Sequence, residues 1–240
     1  MPKLYAKQLM LNFREFDLLT FDCYGTLIDW EAGIFSAVKP ILANHGKSVS
    51  DARLLEVYGE LEAQAEAGKY RSYREVLHEV VSGFGKKLAF TPTLDELPSL
   101  ANSIQNWQPW PDTLAALNSL RSRYRLAIIS NIDDDLFQAT ERHLRVNFDP
   151  VVTAEQARCY KPGLKIFNLA LERIGTSRHR ILHVGQSIYH DVLPAQSLGL
   201  ATVWVNRSSA RAGIGAVKPA NGRPDLEVAT LEELAQMAVG

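Results

Sequence analysis

The first strong pattern in the chain is an apolar stretch that ends at an acidic residue. Residues 16–21 read Phe-Asp-Leu-Leu-Thr-Phe, and Asp22 follows them. This pattern predicts a buried strand, and Gly25, three residues further on, allows the chain to turn sharply. In open α/β sheets, ligands bind at the carboxyl ends of the strands. We therefore predict that Asp22 is a reacting carboxylate, with capping of the turn as its structural alternative.

Residues 30–106 follow a different pattern, with apolar positions at helical spacing and few β-branched clusters. Two amphipathic faces stand out, formed by Leu54, Tyr58, Leu61 and Ala65 and by Tyr73, Val76, Leu77, Val80, Val81 and Phe84. Such spacing predicts helices that bury one face. We predict a helical domain over residues 30–106, inserted into a second domain that consists of residues 1–29 and 107–240.

From Trp110 onward, predicted strands and helices alternate along the chain. Strands are predicted at 126–131, 151–153, 181–185 and 201–206, and helices at 114–124, 133–144 and 161–173. This alternation predicts an α/β fold with a parallel sheet that is covered on both faces. The strands end at Asp22, at Ser130 and Asn131, near Lys161 and at residues 186–191, which we expect at one edge of the sheet. Residues 208–223, rich in Gly, Ala and Ser, predict a surface loop.

Composition narrows the range of functions. The chain has 240 residues, of which 46% are hydrophobic and 22% charged, and its net charge is -1. This balance is typical of a globular protein and provides no basic surface for nucleic acid or an anionic membrane. Two cysteines are too few for a disulfide framework, residues 1–14 lack a signal-like apolar core, and no apolar run reaches the roughly 18 residues of a membrane span. We expect a cytoplasmic protein that acts on a small molecule.

Four polar motifs occur in an order that resembles the haloacid dehalogenase superfamily. They are Asp22-Cys23-Tyr24-Gly25-Thr26, Ser130-Asn131, Lys161-Pro162 and Asp191. The superfamily has a nucleophilic Asp in a DxxGT loop, a Ser/Thr after the second strand, a Lys before a helix and acidic residues after the fourth strand. The resemblance covers nearly the whole chain. It implies a Rossmann-like core and identifies the helical insert with a cap domain that closes over the active site.

Two substitutions point to a subgroup of this superfamily. Its phosphatases carry a second Asp two residues after the nucleophile as general acid and hold Mg²⁺ with oxygen ligands. Here that position is Tyr24, and Gln186 replaces the first acidic residue of the fourth-strand motif. A neutral amide is a poor ligand for a hard cation, so we predict a site without metal or cofactor. The Asp-x-Tyr-Gly-Thr pattern is similar to type II L-2-haloacid dehalogenases.

The resemblance implies nucleophilic catalysis on a small L-2-substituted carboxylic acid. Asp22 attacks C2 and displaces the leaving group with inversion, and water hydrolyses the resulting aspartyl ester. Lys161 is expected to hold down the pKa of Asp22, Thr26 to orient its carboxylate, and Asp191 to orient Lys161 or the water. The predicted substrate-binding residues are Cys23, Tyr24, Ser130, Asn131, Phe167, Gln186 and Ser187.

Several of these residues have structural alternatives. Ser130 and Asn131 could cap the following helix, and Asp191 could be a charge at a helix start. His183 lies inside a predicted strand and is expected to be a core histidine, whereas His190 is a weaker functional candidate. The two cysteines, Cys23 and Cys159, are expected to be packing residues without a reactive thiolate.

The chain also departs from type II dehalogenases around the leaving group. Leu54 stands near the position of an arginine that helps receive the halide, and Phe167 replaces a tyrosine. Gln186 and Ile188 replace a Ser-x-Asn pair. The nucleophile, threonine, serine and lysine remain, so the chemistry is expected to be kept while the substrate is left open.

Four glutamates of the predicted cap allow a second interpretation. They are Glu56, Glu60, Glu62 and Glu66. A solvated acidic face is the first explanation, although like charges four residues apart oppose each other by a few tenths of a kcal/mol. The sharper hypothesis is that one of them, or an acid among residues 133–135, faces the pocket and receives a cationic leaving group. The superfamily includes an L-azetidine-2-carboxylate hydrolase, so ring opening is the alternative to L-2-haloacid dehalogenation.

Two other classes of function stay open at this point. A Mg²⁺-dependent phosphatase is disfavoured by Tyr24 and Gln186, and a non-catalytic binding protein has no need for both Asp22 and Lys161. The expected partner is a small carboxylic acid substrate, and the resemblance also implies a homodimer with an apolar cap helix at the contact.

Overall fold

The computed structural model describes residues 11–207, 216 and 219–240. Predictions that concern residues 1–10, and most of the surface loop predicted at 208–223, lie outside the described residues. Among the helices that are described, none is both long and apolar enough to cross a membrane.

Six described strands form one parallel sheet in the order β3-β2-β1-β4-β5-β6. Their bounds are β1 Leu18–Phe21, β2 Arg125–Ser130, β3 Val151–Thr153, β4 Ile181–Gly185, β5 Ala201–Val205 and β6 Leu226–Val228. In the register of the sheet, Phe21 pairs with Ile128 on one side and Val184 on the other. This register places Asp22 at the carboxyl edge, between the ends of β2 and β4. Ligands bind at this kind of position in doubly wound sheets.

The described α-helices divide into two groups along the chain. Four lie between β1 and β2, within the predicted cap: α1 Trp30–Asn44, α2 Asp51–Glu66, α3 Tyr73–Leu88 and α4 Ser99–Ser103. The others are α5 Thr113–Leu120, α6 Asp134–Leu144, α7 Ala154–Ala157, α8 Leu164–Ile174, α9 Leu193–Ser197 and α10 Leu231–Val239. We call residues 30–106 the cap and the remaining residues the core.

The long cap helices start at residues that satisfy their free N–H groups. The side chain of Ser50 accepts from the N–H of Arg53 at the start of α2, and Ser72 forms a capping box with Glu75 at the start of α3. Both devices stabilise the first turn of a helix. The apolar faces predicted from the sequence are buried, among them Leu54 and Tyr58 on α2 and Val76 and Phe84 on α3.

Several element bounds differ from the sequence prediction. Strand β6 was not predicted, since its three residues at the sheet edge are too few for a recognisable strand pattern. Helix α5 ends at Leu120, four residues before Tyr124, and helix α8 begins at Leu164 rather than at Lys161. Sequence patterns locate elements better than they locate element ends.

Candidate active site

Asp22 directly follows the central strand β1, and both oxygens of its carboxylate are held by hydrogen bonds. The Thr26 hydroxyl donates to Asp22 Oδ2 at 2.7 Å, and the Nζ of Lys161 lies 2.8 Å from Oδ1. Gly25 lets the loop turn with φ at +97°, where a Cβ would lie 2.8 Å from Gln186 Oε1. The N–H of Gln186 donates to Thr26 Oγ1 at 2.8 Å. The β1 and β4 loops therefore fix the orientation of Asp22 together.

Lys161 lies between two buried carboxylates. Its Nζ is 2.8 Å from Asp22 and 2.6 Å from Asp191, and its side chain is 2% exposed. Burial opposes the charged form of Lys161, but the two carboxylates raise its pKa above the usual lysine value. Burial also works against ionisation of Asp191, yet Lys161 and the hydrogen bond from His183 hold the pKa of Asp191 below its usual value. Lys161 and Asp191 therefore form a charged pair.

Lys161 lowers the pKa of Asp22, as expected, but burial outweighs this effect. Burial raises this pKa, Lys161 opposes the rise, and the charge of Asp191 adds to it, so that the net direction is upward. Lys161 therefore limits the rise in the pKa of Asp22 but does not bring that pKa below its usual range. The reason is that the ammonium charge is shared with Asp191 while Asp22 is almost fully removed from water.

The carboxylate of Asp191 also has contacts with Ser187 and His183. The Ser187 N–H donates to Asp191 Oδ2 at 3.1 Å, and His183 Nε2 is 3.4 Å from Oδ1. The other ring nitrogen of His183 lies 2.9 Å from Thr20 Oγ1. His183 is buried, as a core histidine is expected to be, and it also fixes Asp191. Asp191 thus does more than mark a helix start.

The two polar residues after β2 have different surroundings. Asn131 Oδ1 accepts from the N–H of Lys161 at 2.7 Å, and Asn131 Nδ2 donates to the carbonyl of Lys161 at 3.2 Å. Ser130 Oγ is fully buried and has no hydrogen-bond partner among the described residues. Neither residue caps α6, whose N-cap is Asp133. Asn131 therefore positions Lys161, while the Ser130 hydroxyl is available to a ligand.

These groups surround a cavity of about 60 Å³. A buried water occupies roughly 10–15 Å³ on this measure, so the cavity accepts only a few heavy atoms. The core contributes Asp22, Tyr24, Ser130, Asn131, Lys161, Gln186, Ser187, His190 and Asp191, the cap contributes Trp30, Glu62, Glu66 and Tyr73, and Ala216 completes the wall. Tyr24 is held in place because its hydroxyl lies 2.7 Å from Thr140 Oγ1.

Two predicted substrate-binding residues do not line this cavity. Cys23 is fully buried in the hydrophobic core, because the residue after Asp22 points to the other side of the backbone. Phe167 is fully buried on the inner face of α8, with its ring edge-on to His183 at 5.2 Å between centroids. Both predictions are corrected. Phe167 packs beneath the site instead of facing the substrate.

The cap residues of the wall were not identified from sequence, apart from the general hypothesis about its glutamates. Of the four, Glu56 and Glu60 point outward and pair with Arg53 and Lys87, whereas Glu62 and Glu66 line the cavity. Trp30 and Tyr73 sit on apolar helix faces, where an aromatic side chain is expected to be core. No sequence signal distinguished them from ordinary core residues.

Of the three acidic residues 133–135, two hold the cap to the core, and none of them lines the cavity. Asp133 accepts from the N–H groups of Tyr73 and Arg74 at 2.8 and 3.0 Å, at the first turn of α3. Asp135 forms an ion pair with Arg74 at 2.5 Å. Asp134 accepts from Thr153 and Gln156 within the core. These contacts remove residues 133–135 from the set of groups that could receive a leaving group.

The donor set does not fit the Mg²⁺ ion that related phosphatases use. One oxygen of Asp22 bonds Lys161 and the other bonds Thr26, and the ammonium of Lys161 fills the space between Asp22 and Asp191. Gln186 offers a neutral amide at the position of an acidic ligand. In the described part of the chain, no group of three His, Cys, Asp or Glu residues could hold a metal ion.

Comparison with known proteins gives relatives of two kinds. The (S)-2-haloacid dehalogenase H-109 of Pseudomonas putida is 26% identical over 195 residues, which cover 80% of this chain and 86% of the relative. The pyrimidine 5'-nucleotidase YjjG of Escherichia coli (strain K12) is 36% identical over 132 residues, but these cover 54% of this chain and 56% of the relative. The dehalogenase therefore matches across more of the chain, and the nucleotidase matches more strongly over about half of it.

Among solved structures, an L-2-haloacid dehalogenase from Xanthobacter autotrophicus with chloropropionic acid covalently bound has a TM-score of 0.78. The two chains are 20% identical, and the match covers 94% of this chain and 99% of that one. This likeness confirms the predicted α/β fold with a parallel sheet. In addition, the family model for haloacid dehalogenase-like hydrolases matches residues 16–199. Since this match spans most of the chain, the protein belongs to the haloacid dehalogenase-like hydrolases.

Proposed function

We propose that this protein hydrolyses a small L-2-haloacid to the 2-hydroxy acid through an ester on Asp22, without a metal ion. The observation that carries the proposal is the fixed arrangement of Asp22, which Lys161 and Thr26 hold at 2.8 and 2.7 Å at the wall of a small cavity. A carboxylate oriented in this way is a nucleophile positioned for attack.

In the first half of the reaction, an oxygen of Asp22 forms a bond to C2 as the carbon–halogen bond breaks. The halide leaves with the bonding electrons, and the configuration at C2 is inverted. Lys161 compensates the buried negative charge beside the reacting carbon, and the unpartnered hydroxyl of Ser130 can donate to the substrate carboxylate. Asn131 keeps Lys161 in place through its main chain.

In the second half, water attacks the carbonyl carbon of the ester. This step releases the 2-hydroxy acid, regenerates the Asp22 carboxylate and leaves one proton for the solvent. Each turnover therefore produces one halide and one proton. The charged pair of Lys161 and Asp191 lies next to Asp22 and stabilises the negative charge that develops on the ester oxygen.

The names of the relatives support this reaction over its competitors. Relatives that match along most of the chain include (S)-2-haloacid dehalogenases and a haloacetate dehalogenase, and they do not favour the ring opening of L-azetidine-2-carboxylate. Phosphatase chemistry is the other competitor, with the nucleotidase as the relevant relative. Tyr24 stands at the position of the phosphatase general acid, and its hydroxyl is engaged with Thr140. The predicted homodimer stays a prediction.

The test is an NMR time course with chelator-treated protein and three samples. These contain L-2-chloropropionate, a phosphate monoester, and the same ester with Mg²⁺ added back. We expect D-lactate from the first sample only, and no product from the Asp22→Asn variant. In water enriched in ¹⁸O, repeated turnover should place ¹⁸O in the peptide that contains Asp22. Turnover of the ester alone, restored by Mg²⁺, would contradict the proposal.

A further inference from the structure

The cap side of the cavity carries two carboxylates, one helical turn apart near the end of α2. Glu62 is held in place because the hydroxyls of Tyr58 and Tyr73 both donate to its Oε1, at 2.9 and 2.5 Å. Neither tyrosine brings a compensating charge. Glu62 is therefore a fixed acceptor that faces the cavity without an ion pair among the described residues.

Glu66 has fewer contacts with polar groups than Glu62. It makes no hydrogen bond or ion pair with the residues that the structure describes, although it lines the cavity of Asp22 and also an adjoining cavity of about 450 Å³. Burial and the nearby charge of Glu62 raise the pKa of Glu66, and only Lys161 acts against this rise. Glu66 is partly buried, and a carboxylate that loses water contacts without gaining a partner costs free energy that a suitable ligand can recover.

Among the described residues that line the cavity, acidic side chains outnumber basic ones. Four carboxylates line it, from Asp22, Asp191, Glu62 and Glu66, and the ammonium of Lys161 is already bonded to two of them. A further sign of a polar ligand is Ser130, which lines the same cavity and whose fully buried hydroxyl has no hydrogen-bond partner among the described residues. The wall is thus arranged for a polar ligand, and the described cap residues that line it, Trp30, Glu62, Glu66 and Tyr73, include no positively charged side chain.

We propose that Glu62 and Glu66 form an ammonium subsite, so that the preferred substrate is a small 2-haloacid that also carries an amino group on its carbon chain. This inference rests on the proposed function and specifies its substrate class. The halide remains the leaving group, and the ammonium group stays on the hydroxy acid product. In the bound substrate, the ammonium group would lie against the carboxylates of Glu62 and Glu66, and the substrate carboxylate would lie near Ser130.

The test compares the binding of two products that differ by one ammonium group, D-lactate and D-isoserine. Calorimetric titration of the wild-type protein should show that D-isoserine binds roughly 10- to 100-fold more tightly than D-lactate. This difference in affinity is what a charge-assisted hydrogen bond contributes. The Glu66→Gln variant, which has no hydrogen bond to lose on the protein side, should reduce this ratio about tenfold or more. Glu62→Gln provides a second variant at the same subsite.

The matched control is Glu60→Gln on the same helix, whose side chain pairs with Lys87 away from the cavity. It should leave the ratio unchanged. Equal or tighter binding of D-lactate to the wild-type protein would overturn the proposal, and so would a ratio that Glu66→Gln does not change.

The two proposals can fail separately. If L-2-chloropropionate is turned over but D-isoserine binds no more tightly than D-lactate, the proposal of an ammonium subsite is wrong and the proposed reaction stands. If D-isoserine is preferred but no 2-haloacid is hydrolysed, the subsite stands and the proposed reaction is wrong.

Discussion

On the core side of the cavity, the ammonium of Lys161 bonds both Asp22 and Asp191, whereas on the cap side Glu62 and Glu66 face the same space without an ion pair among the described residues. The core groups are held by backbone and side-chain contacts from three loops. The cap carboxylates rely on two tyrosine hydroxyls, and these reach only Glu62. Charged groups that are hydrogen-bonded to one another keep a fixed geometry for the reaction. Groups without an ion pair are available to bind and select the substrate.

The largest effect should come from removing the cation on the core side. In Lys161→Met, the buried carboxylates of Asp22 and Asp191 would lose the ammonium that bonds both of them, which should lower the free energy of unfolding by about 3–5 kcal/mol. The rate kcat should fall by about 10²–10³-fold, because the charge near the reacting carbon is no longer compensated. Urea unfolding and halide release measure the two quantities. Lys165→Met, on an exposed position of α8, is the control and should change neither.

A smaller effect should separate the two polar residues after β2. Asn131→Ala would leave the N–H and carbonyl of Lys161 without partners, at a cost of about 1–3 kcal/mol in the free energy of unfolding, and should lower kcat. Ser130→Ala removes a hydroxyl without a partner, so the stability should change by less than about 0.5 kcal/mol while KM rises. If Asn131→Ala changed only KM, Asn131 would bind substrate after all, as first predicted from the sequence.

The smallest effect concerns the contact between cap and core. Asp133→Asn keeps one acceptor oxygen where the carboxylate offers two to the N–H groups of Tyr73 and Arg74. The free energy of unfolding should therefore fall by about 1–2 kcal/mol. Asp135→Asn breaks only the partly exposed ion pair with Arg74 and should cost less than about 1 kcal/mol. Hydrogen exchange at the amides of Tyr73 and Arg74 should become faster in Asp133→Asn and stay nearly unchanged in Asp135→Asn. The opposite order would show that the ion pair, and not Asp133, holds the cap in place.

The sequence by itself determined the fold class and the place of the reacting groups. Asp22, Ser130, Lys161 and Asp191 lie at or shortly after the carboxyl ends of strands, and parallel strands bring those ends to one edge. A linear pattern is sufficient here because the strand direction is the same throughout the sheet. The two predictions that placed Cys23 and Phe167 in the cavity failed, since a position in a motif does not show to which side a side chain points.

Only the tertiary structure decided which cap residues reach the cavity. Helical spacing places Glu56 and Glu60 on one side of α2 and Glu62 and Glu66 on another, but only the packing of the cap shows that the second pair reaches the cavity. The hydrogen bonds of Asn131 to Lys161 and of Asp133 to α3 join residues 30 to 60 positions apart. Such contacts depend on how elements pack in space, and the periodicity of a single element carries no information about them.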